Sequence, residues 1–353
     1  MLKKISIKDY KSLSDCTLHL KALNLLSGPN SSGKSSVIQS LLLASDNLLE
    51  KAGTRGLQAK KTETSQFNEV RNFITNAKSY KISVSADDNA EVTLNFIPAD
   101  EAYLATSVEQ LEDASPLLHR ALDNMNIMYL PATRTGVSSA YPMNPDPANK
   151  LGHKGEFVID YYAKHRQDKL DSSLIFIPGS NTLEGQVNAR LEKLTGYKLI
   201  VETIGSNHYV KYENRRGKQI LPYHVGTGVS FMAEVLIVCF ATPKGGLVIT
   251  ENPEIHLHPE AQAELIDFMA QIAKTGTQII IESHSDHLFN GIRRLIRKGG
   301  LELSDTAVYN FRQTEDALSY AEQVEFTPQG GISSYISGMF EQFDKDLDAI
   351  LGL

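Results

Sequence analysis

The eight residues Gly28–Ser35, GPNSSGKS, constrain this chain more than any other stretch. They fit the pattern G-x-x-x-x-G-K-[S/T], and their surroundings suit it. An apolar run, Leu23–Leu26, precedes them. Behind them Val37, Ile38, Leu41, Leu42, Ala44, Leu48 and Leu49 recur at close to helical spacing. A strand, a glycine loop and a helix in that order make a cradle for phosphates. Gly28 and Gly33 let the backbone come close to the ligand. The N–H groups around Asn30, Ser31 and Ser32, and the helix start at Ser36, supply positive potential. Lys34 reaches the β- and γ-phosphates, and Ser35 is placed to ligate Mg2+. The expected ligand is ATP with its magnesium.

A second stretch raises the question of what completes the site. In TENPEIHLHPE, Thr250–Glu260, an apolar β-branched run ends on Glu251. A buried strand that delivers an acid at its C-terminal edge is placed to hold magnesium, because ligands of open α/β sheets bind at that edge. His256 and His258 are two apart, which would also suit a zinc site, but no nearby cysteine or second histidine pair completes four ligands. Asn252 follows the metal acid. An amide accepts no proton, though it can orient water. Glu254, beyond Pro253, is therefore the expected general base. Further on, IIIESHSDHL reads as a buried strand that brings His284 towards the γ-phosphate. Between the two sites, VGTGVSFMAEVLIVC places glycines before an apolar helix whose start could bind an anion.

The pattern along the chain predicts an α/β fold. The first residues read as two strands that feed the loop, and residues 79–98 as a hairpin. Residues 101–125 read as helical, NIMYLPATR as a short strand ending at Pro131, and residues 136–153 as loop. Two helices are expected near 155–167 and 181–194, then an antiparallel element with a basic turn at Arg215, Arg216 and Lys218. From Val225 onwards strands alternate with helices, the signature of a mostly parallel sheet covered by helices. The expected organisation is a single head over residues 1–353. Its nucleotide-binding core comprises 1–50 and 220–325, with an antiparallel and helical insertion at 52–219 and a C-terminal extension at 326–353.

Composition limits the alternatives. The chain has 353 residues, 41% hydrophobic and 22% charged, with a net charge of −7. That balance argues against coating nucleic acid by charge alone. The longest apolar run, Val229–Ala241, is interrupted by Glu234 and is too short to span a bilayer. The polar start gives no signal-peptide core, and Cys16 and Cys239 are far apart in sequence. The expected setting is the cytoplasm, without a membrane.

The order of these motifs resembles the ABC-type ATPases of the OLD, RecF and SMC group. It is most similar to an OLD-like branch of bacterial defence ATPases with an ENPE-x-HLHP strand end. The segments IKDYKSL, YLPATR and GGISSYISGMFEQF are similar to that branch too. The resemblance implies a P-loop NTPase head that forms a head-to-head dimer with two ATPs sandwiched between subunits. Thr227, Gly228 and Ser230 would then face the partner's γ-phosphate, His284 would be the switch histidine, and Gln66 the Q-loop glutamine. Arg134 matches a basic position of the branch. HLHP would form an interface loop.

Two departures shape the expected function. The chain has no long coiled coil and no acid clusters of a Toprim nuclease. A head of this kind would act through a separate effector, a nuclease or toxin, in anti-phage defence. The alternatives are a RecF-like repair ATPase that binds DNA directly, and a scaffold or antitoxin that binds ATP without turnover.

Overall fold

A computed structural model describes residues 1–49, 56–57, 66–88, 90–123, 125–146, 149–333 and 349–350. Most of the expected C-terminal extension, including much of GGISSYISGMFEQF, lies outside the described residues, as do residues 50–55 and 58–65 of the segment after the first helix. The chain opens with β1 (Leu2–Tyr10), β2 (Leu13–His19) and β3 (Leu23–Ser27), followed by α1 (Lys34–Leu49). A one-turn helix α2 (Phe67–Val70) leads to β4 (Tyr80–Ala86), β5 (Glu91–Pro98) and β6 (Thr106–Gln110). Then come α3 (Pro116–Leu122), β7 (Ile127–Leu130), β8 (Ala140–Pro142), α4 (Val158–His165) and α5 (Leu183–Thr195). A small sheet is completed by β9 (Tyr197–Ile204), β10 (Asn207–Asn214) and β11 (Gln219–Ile220). The last stretch alternates: α6 (Thr227–Ala241), β12 (Leu247–Glu251), α7 (Pro259–Lys274), β13 (Gln278–Glu282), α8 (Asp286–Arg297), β14 (Thr306–Gln313) and β15 (Ser319–Gln323).

Eleven strands form one sheet, in the order β6-β5-β4-β1-β2-β15-β14-β3-β13-β12-β7. The five strands from β14 to β7 pair in parallel. β1, β2, β4, β5 and β6 pair with one another antiparallel, and β2 meets β15 in parallel at Leu13↔Ser319. The fold is thus α/β with a mixed sheet, half parallel, rather than a mostly parallel one. The division follows from connection length. Short turns can join only antiparallel neighbours, whereas parallel pairing needs a crossover of a dozen or more residues. The chain supplies such crossovers from α6 onwards.

Alternation along the parallel strands splits the core into two. Ile279 and Ile281 of β13 face one cluster and Ile280 the other. On β12, Val248 joins the first, and Leu247 and Ile249 the second. The first face is covered by α4 to α8, and the second by α1 and α3. Strands buried on both faces read as continuous apolar runs, which is why LVIT and QIII carry so few polar letters.

One expectation fails here. Residues 101–125 hold the strand β6 as well as the short α3, where a helical patch was expected. Its exposure alternates, and it pairs with β5 from Leu94↔Gln110 to Pro98↔Thr106. Pairing along the edge of an existing sheet decides this segment, which has little apolar pattern of its own. The expected loop at 136–153 similarly contributes β8, which pairs with β10.

The antiparallel half rests on aromatic packing. Phe96 and Tyr80 stack with ring centroids 4.6 Å apart and planes 9° from parallel, and both are fully buried. Tyr10 and Phe67 extend the group. Replacing Phe96 with alanine removes a ring that β4, β5 and α2 share. Chemical denaturation should register a loss of about 3–5 kcal/mol.

Candidate functional site

The loop after β3 is shaped by one close approach. Gly28 has φ +133°, and a Cβ there would lie 2.3 Å from the Phe311 carbonyl oxygen of β14. Only glycine lets this turn lie flat on the neighbouring strand. Beyond it, residues 30–36 line a cavity of about 400 Å3 together with Lys11 and Gln39. Its opposite wall is Ala132, Glu251, Asn252, Glu282 and His284. Five separate pieces of chain therefore converge at the C-terminal edge of the parallel strands, where open α/β sheets bind ligands.

Lys34 is buried, and its ammonium donates to the Gly28 and Pro29 carbonyls at 3.1 and 2.7 Å. Ser32 donates to the same Pro29 carbonyl at 2.8 Å. Burial holds the Lys34 pKa below the usual lysine range, and nearby Glu282 partly offsets this. The Ser35 hydroxyl lies 3.0 Å from both carboxylate oxygens of Glu282.

Glu251, the last residue of β12, is 8% exposed. The Tyr129 hydroxyl donates to one of its oxygens at 2.9 Å and the Ala132 N–H to the other at 3.0 Å. Asn252 adopts φ +44° and donates its N–H to the Glu282 carbonyl at 2.7 Å. Its side chain thus faces the cavity from a fixed turn.

Glu254 does not line the cavity. The Ser283 hydroxyl donates to its Oε1 at 2.6 Å, and the His284 N–H approaches the same atom at 3.4 Å. Burial raises the Glu254 pKa, which those donors and Arg134 partly offset. His284 itself lies on the wall, its pKa lowered by burial and by Lys34. The sequence thus brings together Gly33, Lys34, Ser35, Ser36, Asn30, Ser31 and Ser32 with Glu251 and His284. Glu254 sits one hydrogen bond behind them.

Other expected residues stand elsewhere. Gln66 is exposed at the start of α2, and the glutamine that lines the cavity is Gln39 of α1. The Lys11 ammonium donates to Gln39 at 2.5 Å. Thr227, Gly228 and Ser230 open α6 away from this cavity. Thr227 is exposed and Ser230 is 4% exposed. A Cβ on Gly228 would lie 2.5 Å from the His256 carbonyl, so that glycine lets α6 close on the loop after β12. His256 packs on Phe231, and His258 caps α7. Arg215 and Arg216 line a separate groove with Lys193. Arg293 donates to the Gly330 carbonyl at 3.0 Å.

Sequence reasoning missed Glu282, Tyr129 and Gln39, and it left Arg134 without a role. The signal for Glu282 was present: an acid at the end of an otherwise apolar strand, one residue before Ser283 and His284. For Arg134 there was no such signal. Its guanidinium donates to the Pro131, Glu251 and Asn252 carbonyls at 3.1, 2.8 and 2.9 Å. It also lies 3.6 Å from the buried Glu234 carboxylate of α6 and over the Phe231 ring.

Comparison with known proteins agrees with this architecture. Residues 23–290 match the family model described as "AAA domain, putative AbiEii toxin, Type IV TA system". The chain belongs to this AAA family. Among solved structures it is similar to an SMC head bound to the C-terminal winged-helix domain of ScpA. The TM-score is 0.57 at 14% identity, over 92% of this chain and 97% of that one. It is also similar to an SMC head with an extended coiled coil, bound to the C-terminal domain of ScpA derived from Pyrococcus furiosus. There the TM-score is 0.53 at 12% identity, over 99% of both chains. At these identities the likeness concerns the fold, that of an ABC-type P-loop head. No curated protein matches the sequence. Among the described residues, no helix is long and apolar enough to cross a membrane.

The Arg134 arrangement generates a test. Burial pushes the Glu234 carboxyl up to about 8 from 4.5, and Arg134 moderates the rise. A folded-state pKa above the unfolded value means that the folded state binds the extra proton. Stability from this group is therefore present at low pH and is lost as pH rises from 4.5 towards 8. Arg134→Ala removes donors from three carbonyls and the cation 3.6 Å from Glu234. Urea denaturation should show a loss of about 3–5 kcal/mol, larger at alkaline than at mildly acidic pH. The added Glu234→Gln change should remove the pH dependence of that loss.

Proposed function

We propose that this chain binds ATP with magnesium in the cavity between the P-loop and β12, dimerises on it, and hydrolyses it slowly. The observation that carries this reading is the convergence of Lys34, Ser35, Glu251 and His284 on one cavity. The donor set suits the cation: a hydroxyl and carboxylates are the hard oxygens that Mg2+ prefers, with phosphates and water filling the remaining positions. Ser35 and Glu251 would hold it, and when bound it would neutralise charge on the phosphate oxygens. Lys34 would release the loop carbonyls it now holds and turn to the β- and γ-phosphates.

In the step itself, water attacks the γ-phosphorus, the bond to the β-phosphate oxygen breaks, and ADP and phosphate leave. Asn252 orients the water through its amide, as glutamine does in small GTPases. Glu254, one hydrogen bond behind the wall, receives the proton through an intervening water. Its raised pKa favours that role, since a base works best with a pKa close to the working pH. His284, whose N–H lies beside Glu254 and whose ring lines the cavity, reports the γ-phosphate to that base.

Closure across a dimer would bring Thr227, Gly228 and Ser230 to the partner's nucleotide. The backbone packing of Gly228 on His256 supports a link between that helix start and the loop after β12. The SMC heads of similar fold are each bound to a domain of another protein, ScpA. The family description names a toxin–antitoxin system. We infer a separate effector, a nuclease or toxin, gated by the closed dimer in anti-phage defence.

Steady-state phosphate release tests the reading. Wild type should turn over, Lys34→Ala should fall to background, and Glu254→Gln should lose roughly 100-fold or more. The wild-type rate should decline as pH falls, because Glu254 must be ionised to accept a proton. Absence of phosphate release from wild type, with and without DNA, would leave a nucleotide-binding switch.

A further inference from the structure

We propose that Glu282 is a second acid of the divalent-cation site and makes nucleotide binding conditional on that cation. The inference rests on the reading above that the cavity takes a nucleotide. Three observations support it. Parallel pairing sets Glu282 directly beside Glu251, and Glu282 also pairs with Leu26 on the P-loop strand. Both acids are buried, at 6% and 8% exposure. Finally, the hydroxyl of Ser35 lies 3.0 Å from each Glu282 oxygen.

The two acids differ in what they can offer. Each oxygen of Glu251 already accepts a hydrogen bond from a rigid donor, Tyr129 or Ala132. Glu282 is held by a single rotatable hydroxyl, with the Lys34 ammonium 3.9 Å away. Turning the Ser35 hydroxyl frees a Glu282 oxygen and a Ser35 lone pair on the same side. The protein therefore presents two neighbouring carboxylates to an incoming polyphosphate, with Lys34 the nearby cation already committed to loop carbonyls. Like charges that close cost several kcal/mol when brought together in a partly buried site. Ser35 and Glu282 would hold a divalent cation here, and its charge would remove that cost.

The test is binding, not turnover. Calorimetric titration of the full chain with an ATP analogue whose β–γ bridge resists hydrolysis is run in magnesium and in EDTA. Wild type should lose roughly 30-fold or more in affinity without magnesium, the equivalent of the repulsion above. Glu282→Gln should bind the metal-free analogue more tightly than wild type, cutting the ratio to about 3-fold. Glu282→Asp, which keeps the charge and serves should the glutamine variant misfold, should retain a large ratio. Mn2+ titrated into the protein–analogue complex, followed by electron paramagnetic resonance, should bind more weakly to Glu282→Gln. An unchanged magnesium-to-EDTA ratio in Glu282→Gln, or a ratio abolished by Glu282→Asp, overturns the proposal while the nucleotide reading stands. Lack of analogue binding by wild type in magnesium overturns the nucleotide reading instead.

Discussion

The site depends on the parallel register of β3, β13 and β12. Glu251 pairs with Glu282, and Glu282 with Leu26, so that two acids and the start of the P-loop end at one level. A register slip of one residue would turn every side chain of a strand to the other face. Polar contacts at the strand ends oppose that slip, since Gln278 donates to the Leu2 and Lys21 carbonyls and Asn24 to the Ile279 carbonyl. Buried hydrogen bonds at one end of the strands thus help to fix the spacing of charges at the other. The Asn252 N–H bond to the Glu282 carbonyl carries the same register one residue beyond the strands.

Holding buried acids together has an electrostatic cost, and its signature is visible. Burial, with Glu251 beside it, pushes the Glu282 carboxyl up to about 7, with Ser35 and Lys34 working in the opposite direction. Glu234 is raised for a similar reason within α6. Arg134 limits the damage at the other end of the arrangement. It gathers the carbonyls at the end of β12 and the turn after β7, while its charge faces Glu234. One side chain therefore ties the strand that bears Glu251 to the helix that begins at Thr227. A link of that kind is what a dimerising head would need between its interface helix and its hydrolytic edge.

Much of this was legible in the residues themselves. Motif spacing and context located Lys34, Ser35, Glu251 and His284, and the structure places all four on one cavity. Local patterns gave the hairpin at 79–98, the short strand before Pro131 and the alternating elements after Val225. The strand β6 was hidden because its sequence has no strong apolar period and takes its form from the edge of β5. Gln39 was hidden because a glutamine on an amphipathic helix gives no sign that the helix faces a ligand. The sequence offered Gln66 instead, a residue that stays exposed at the start of α2.

By itself, then, the sequence determined the phosphate-binding loop, the strand that delivers an acid and the order of the elements. These are local: each depends on residue type and on spacings of a few positions. Only the tertiary structure decided which distant groups share the cavity. Glu282 and Ser35 are separated by 247 positions yet hydrogen-bonded, and Arg134 reaches Glu251 across 117. Such meetings depend on strand order and on which face of a helix is buried. Glu254 shows the same limit. Its spacing from Glu251 suggested a base at the cavity, and the turn after β12 instead directs it to Ser283 and His284.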